Sequence, residues 1–138
     1  MGSKFCEAVG AEGLESASTV YVYTSGGLEV AKYAKNIGLK VVVEQMCATR
    51  DYEAQILLDE HRRFPEWEDA LSEDPLTEAF AARQKMEWEY ADAIFCGSEF
   101  VRNAVGSVGG PVDRCRVIPY GITAPQVIPR ERMPGPLR

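Results

Sequence analysis

Residues 88–122, WEYADAIFCGSEFVRNAVGSVGGPVDRCRVIPYGI, read as one strand–helix–strand unit. Ala93-Ile94-Phe95-Cys96 is a short apolar run between Asp92 and Gly97, the pattern of a strand buried on both faces. Ser98 follows as a helix N-cap, and Glu99 puts a carboxylate where the helix dipole favours negative charge. Phe100, Val101, Ala104, Val105 and Val108 form one apolar face, and Gly109-Gly110-Pro111 stops the helix. Arg116-Val117-Ile118 returns to the sheet, and Pro119-Tyr120-Gly121 turns the chain out of it. A helix between two short buried runs implies parallel strands joined by a right-handed crossover.

Upstream, the pattern repeats. Thr19-Val20-Tyr21-Val22-Tyr23 is strongly β-forming and opens the sheet. Ser25 is placed to cap a helix through Ile37, with Leu28, Ala31, Ala34 and Ile37 at helical spacing and Gly38 as its left-handed stop. Leu39 to Glu44 is the next strand, its Val41-Val42-Val43 core continuous rather than alternating. Gly26-Gly27 before a helix invites a phosphate-loop reading. The pair lacks both the G-x-G-x-x-G fingerprint and a P-loop lysine–hydroxyl pair, so it reads as a tight strand-to-helix turn.

Between the two units lie two helical patterns. Arg50 to Phe64 sets Tyr52, Ile56 and Leu57 against Asp59, Glu60, His61 and Arg62, and Pro65 ends it. Asp74-Pro75 starts a helix to Tyr90, with Leu76, Ala79, Phe80, Arg83, Met86, Glu87 and Tyr90 every three or four residues. Glu87 and Glu89 flank Trp88, but residues two apart on a helix do not share a face. A solvated acidic surface is the expectation for them, not a carboxylate pair for glycosidase chemistry.

The totals set limits. The chain of 138 residues fits one domain, and a net charge of −6 argues against a nucleic-acid or anionic-membrane binder. No apolar run approaches the ~20 residues of a membrane span. Cys6, Cys47, Cys96 and Cys115 have no paired spacing and His61 is the one histidine, so no metal site is expected. Reduced core thiols fit a cytoplasmic location, with Cys47 and Cys96 at strand ends. Residues 1–18 read as a poorly ordered lead-in, or what is left of an earlier element, and residues 123–138 as a proline- and arginine-rich linker.

The order and spacing of EWEYADAIFCGSEFVRNAV and RVIPYGI resemble the later part of the N-terminal, acceptor-side domain of a retaining family 4 glycosyltransferase of the two-domain GT-B type. The likeness extends more weakly from Val20 to Arg138. It implies a Rossmann-like α/β fold with a parallel sheet, residues 19–122 forming part of that domain and residues 123–138 linking to the next. It also implies transfer of a sugar from a nucleotide-diphosphate donor to an acceptor hydroxyl, without a metal or resident cofactor. The resembled domain begins with a glycine-rich strand–loop–helix and is followed by a nucleotide-sugar domain. The chain is therefore expected to be a fragment, incompetent for transfer by itself and partnered by that missing C-terminal domain.

Polar residues just past parallel strands lie where open α/β sheets bind ligands. Thr24, Ser25, Glu44, Gln45, Ser98 and Glu99 are the candidate acceptor and cleft residues, and Tyr120-Gly121 the interdomain hinge. Many relatives carry a histidine about where Gln45 stands. An amide cannot exchange protons near neutral pH, so Gln45 would act by hydrogen bonding. The alternative is a free-standing α/β binding or interaction domain whose acidic helices meet a partner. A flavodoxin-like receiver fits less well, lacking an acidic cluster at a first strand end.

Overall fold

The computed structural model describes residues 2–14, 16–67 and 75–121. In chain order these form α1 (Gly2–Glu12), β1 (Thr19–Tyr23), α2 (Leu28–Asn36), β2 (Lys40–Gln45), α3 (Arg50–Arg63), α4 (Pro75–Tyr90), β3 (Ala93–Cys96), α5 (Glu99–Ser107) and β4 (Cys115–Val117). The four strands form one parallel sheet in the order β1-β2-β3-β4, with Val20 beside Val41, Val43 beside Ile94 and Ile94 beside Cys115. This is the Rossmann-like α/β class that the alternation of strands and helices called for. The linker at 123–138, with Ile122 and the cap at Asp74, lies outside the described residues.

Each crossover steps the same way across the sheet, so crossovers of one hand put their helices on one face. The burial pattern follows from that. Val20, Val22, Val41, Val43, Ile94, Cys96 and Cys115 are buried, while Tyr21, Tyr23, Lys40 and Arg116 on the other face are exposed and Val42 and Phe95 half-buried. Strands covered on both sides, as expected for Val41–Val43 and Ala93–Cys96, are thus not what forms. Each strand alternates because, among the described residues, only one side has a helix over it. Burial of a side chain such as Ile94 contributes about 1.5–3 kcal/mol, and the one helix-covered face gathers most of these contributions.

The lead-in also departs from expectation. Residues 2–12 form α1, which packs on α2 and buries Cys6, whose thiol donates to the Gly26 carbonyl at 3.0 Å. Val9 and Leu14 pack against the core from the same side. One cysteine and two aliphatic side chains supply enough apolar contact to hold a segment that has no clean helical period. Beside β1, which has a strand neighbour on one side only among the described residues, an apolar groove of about 750 Å³ runs between α1 and the strand edge.

Helix α4 spans the expected residues but presents a different face. Ala81, Gln84, Glu87 and Trp88 are buried, whereas Leu76, Phe80 and Met86 are exposed. Helix α3 has no buried residue. Among the described residues no helix is long and apolar enough to cross a membrane.

Candidate functional site

At the carboxyl ends of β1 and β2 the side chains divide between the two faces of the sheet. Thr24 and Gln45 fall on the helix-covered side and are buried. The Gln45 amide oxygen accepts from the Trp88 indole N–H at 3.1 Å and from the Thr24 hydroxyl at 3.4 Å. Its amide nitrogen donates to the Cys47 carbonyl at 2.9 Å. Gln84 of α4 donates to Thr24 Oγ1 at 3.2 Å and accepts from the Arg50 backbone N–H at 3.4 Å. The network ties β1, β2, α3 and α4 together with every polar atom named here engaged, so Gln45 is a floor beneath the strand ends.

Ser25 was expected to cap α2. Instead it stands in the left-handed region at φ 66°, and the cap of α2 comes from α4, distant in sequence but packed against it. The fully buried carboxylate of Glu87 accepts from the Ser25 backbone N–H at 2.6 Å and from the Gly27 N–H at 3.0 Å. Arg83, one turn earlier on α4, donates to the Ser25 carbonyl at 3.0 Å and holds Glu29 bidentately. A carboxylate at a helix N-terminus satisfies orphan amides and meets the positive end of the dipole. Burial pushes the Glu87 carboxyl up, against the two backbone N–H bonds and Arg83, which favour the anion. Glu87, expected on a solvated surface, is therefore the fastening of the β1–α2 turn. Gly27 answers to the same geometry, since a Cβ there would lie 2.3 Å from Val22 Cβ.

On the open face Glu44 is the centre. Tyr21 donates to its Oε2, and Tyr120 to its Oε1 at 2.7 Å. Tyr21 also makes edge contacts with Tyr23 and Phe95 at centroid distances of 6.0 and 5.9 Å. Burial, then the Glu44 hydrogen bond and charge, push the Tyr21 phenol up to about 12. The Tyr120 phenol is raised mainly by its bond to Glu44. The ring of Tyr120 lies over Gly97, where an added Cβ would come within 2.6 Å of it. The segment expected to be a hinge is thus folded back across the ends of β3 and β2.

Ser98 accepts from the Val101 N–H at 3.3 Å and so caps α5, as its position indicated. Glu99 pairs with Arg102 along the same exposed helix surface. The structure brings together Thr24 with Gln45, and Glu44 with Tyr120. It leaves Ser98 and Glu99 serving α5 and Gly121 exposed, with open space among the described residues where a Cβ would stand. Between α3 and α5, next to the end of β2, a cleft of about 210 Å³ is lined by Cys47, Ala48, Glu53, Ile56, Leu57 and Phe100. Cys47 is exposed there, not buried as its strand-end position implied. Cys6, Cys96 and Cys115 are buried and burial raises each thiol, Cys96 to about 12, so none is an activated nucleophile. Among the described residues no group of three or more His, Cys, Asp or Glu is placed to hold a metal ion. The arrangement offers hydrogen bonding and aromatic surface at a sheet edge.

Compared with protein-family models, with curated proteins and with solved structures, the chain matches none. The fold and the strand-end geometry therefore carry the functional reading. Sequence reasoning missed Glu87, Arg83 and Gln84 as parts of this edge. Their signal was Trp88: a bulky indole needs burial, and Ala81, Gln84 and Trp88 share a helical stripe whose neighbour is Glu87.

Proposed function

We propose that the chain is part of the acceptor-side domain of a retaining glycosyltransferase, one that passes a sugar from a nucleotide-diphosphate donor to an acceptor hydroxyl. The observation that supports this most directly is the Glu44–Tyr120 hydrogen bond, which joins the ends of β2 and the β4 exit at the sheet edge where α/β folds bind ligands. In this reading Glu44, Tyr120 and the exposed rings of Tyr21 and Tyr23 bind acceptor hydroxyls and ring faces. Ser25, Ser98 and Glu99 border the cleft, and Thr24 and Gln45 hold its floor. The donor diphosphate falls to a second, C-terminal domain, and the three buried unpaired thiols suit a reducing cytoplasm.

Titration of labelled chain with a panel of mono- and disaccharides, followed by amide NMR, tests the reading. Saturable shifts clustered at Glu44, Gly97 and Tyr120, with no tight binding of nucleotide-diphosphate sugars, are the expected result. Micromolar donor binding by this chain, or no sugar-dependent shift at the sheet edge, rejects it.

A second reading, a free-standing interaction domain, draws on α3, which buries no residue and carries Asp51, Glu53, Asp59 and Glu60. Charge reversal on α3 that abolishes binding to a basic partner, with the sheet edge unresponsive to sugars, would favour it.

A further inference from the structure

The turn from β1 to α2 has the shape of an anion cradle: Ser25 in the left-handed region, two glycines, then the first amides of a nine-residue helix. Such successive N–H groups bind phosphate in other α/β proteins. Here the Ser25 and Gly27 N–H groups both point at Glu87, a carboxylate fully shielded from solvent. We infer that Glu87 is the resident anion of this cradle and closes it to phosphate and carboxylate ligands, restricting the neighbouring strand ends to uncharged ligands.

Three observations carry this. Glu87 uses both oxygens, one on each amide, as a bound phosphate oxygen pair would. Arg83, which contacts the turn, is held by Glu29 through both terminal nitrogens and donates its Nε–H to the Ser25 carbonyl. Three of its five N–H donors are thus engaged within the turn, and Glu29 and Glu87 against Arg83 leave the cluster with one excess negative charge. Finally, Gly27 is explained by its approach to Val22, so the glycine pair does not need a phosphate to account for it. The inference concerns the turn itself and stands whether or not the chain serves a sugar transferase.

The test is titration of the full chain with inorganic phosphate against chloride at matched ionic strength, read on the Ser25 and Gly27 amides and on thermal unfolding. In the wild type neither amide shifts saturably and phosphate adds no stability beyond chloride. In Glu87→Ala the vacated cradle takes phosphate, with saturable shifts at both amides, a phosphate-specific rise in melting temperature, and affinity at least about tenfold above wild type. Should Glu87→Ala lose its fold in chloride, recovery of the folded spectrum in phosphate supports the inference equally. Glu87→Ser, which keeps a small polar group at the position without reaching the amides, provides the same readouts in a second background. Saturable phosphate binding at Gly27 in the wild type, or no phosphate response in either variant, overturns it. Because the readout is at this turn, absence of sugar binding at Glu44 leaves the result unaffected.

Discussion

The Tyr120 phenol donates to the Glu44 carboxylate at 2.7 Å, closing a contact between residues 76 positions apart. Tyr21 donates to the other oxygen of the same carboxylate. One acidic side chain on the open face thereby joins β1, β2 and the segment leaving β4.

That arrangement has an alkaline signature. A tyrosine whose folded pKa is raised contributes stability that is present below its unfolded value, near 10, and lost as pH rises through the folded value, about 12 for Tyr21. Absorbance titration of tyrosinate should show Tyr21 and Tyr120 ionising later than a free phenol would. In Glu44→Gln both should move back toward 10; unchanged titration curves would mean the carboxylate is not responsible.

Glu29 contributes to the acid limb, beside Asp92, whose carboxyl Lys35 and the Val41 N–H also hold down. Arg83 holds the Glu29 carboxyl down to about 2, so the stability it contributes is present above the unfolded value near 4.5 and is lost as pH falls toward 2. Replacing Arg83 with methionine should flatten the dependence of unfolding free energy on pH between about 4.5 and 2. An unaltered acid limb in denaturant titrations would assign it to other carboxylates.

The buried amide network predicts a larger loss. Gln45→Leu leaves the Trp88 indole N–H buried without an acceptor and removes a partner from Thr24. The expected cost is about 1–3 kcal/mol in chemical denaturation, with a change in tryptophan fluorescence. A neutral Gln45→Leu would show that water takes the place of the amide.

The glycine pair gives an internal control. Gly27→Ala forces a Cβ into Val22 and should cost about 1–3 kcal/mol by overpacking. At Gly26 the nearest atom to an added Cβ is the Tyr23 carbonyl oxygen at 3.7 Å, so Gly26→Ala should change stability by no more than about 0.5 kcal/mol. Equal effects at the two positions would contradict the packing account.

The edge of β1 that has no strand neighbour among the described residues predicts association on heating. TVYVY has no charge or proline to discourage strand pairing, and Thr19→Lys on its exposed face should reduce light scattering while leaving the melting point unchanged.

The strands and the caps of α5 were legible because they depend on neighbours in sequence: β-branched runs, Ser98 before a helix, Gly38 and Gly109 at left-handed stops. The buried side of α4 was not. Leu76, Phe80 and Met86 suggested one stripe by hydrophobicity, while the fold buries Gln84 and Glu87 because partners from the end of β1, the start of α3 and the α2 turn satisfy them. A carboxylate is interior only where donors await it, and those donors lie 60 and 62 residues away. Single coverage of the sheet was equally hidden, since strand order decides where crossovers pass. Of the expected site, the Glu44–Tyr120 and Thr24–Gln45 associations follow from the strand ends; the role of Ser25 does not, because its backbone is set from α4.

The left-handed Ser25 conformation carries a consequence for how the molecule assembles. Its stabilising carboxylate arrives 62 residues later, so on the ribosome β1 and α2 emerge with their connecting bend unfastened. Maturation of that bend waits for α4 to dock, so the β1–α2 unit becomes rigid only after a segment made well after it has folded.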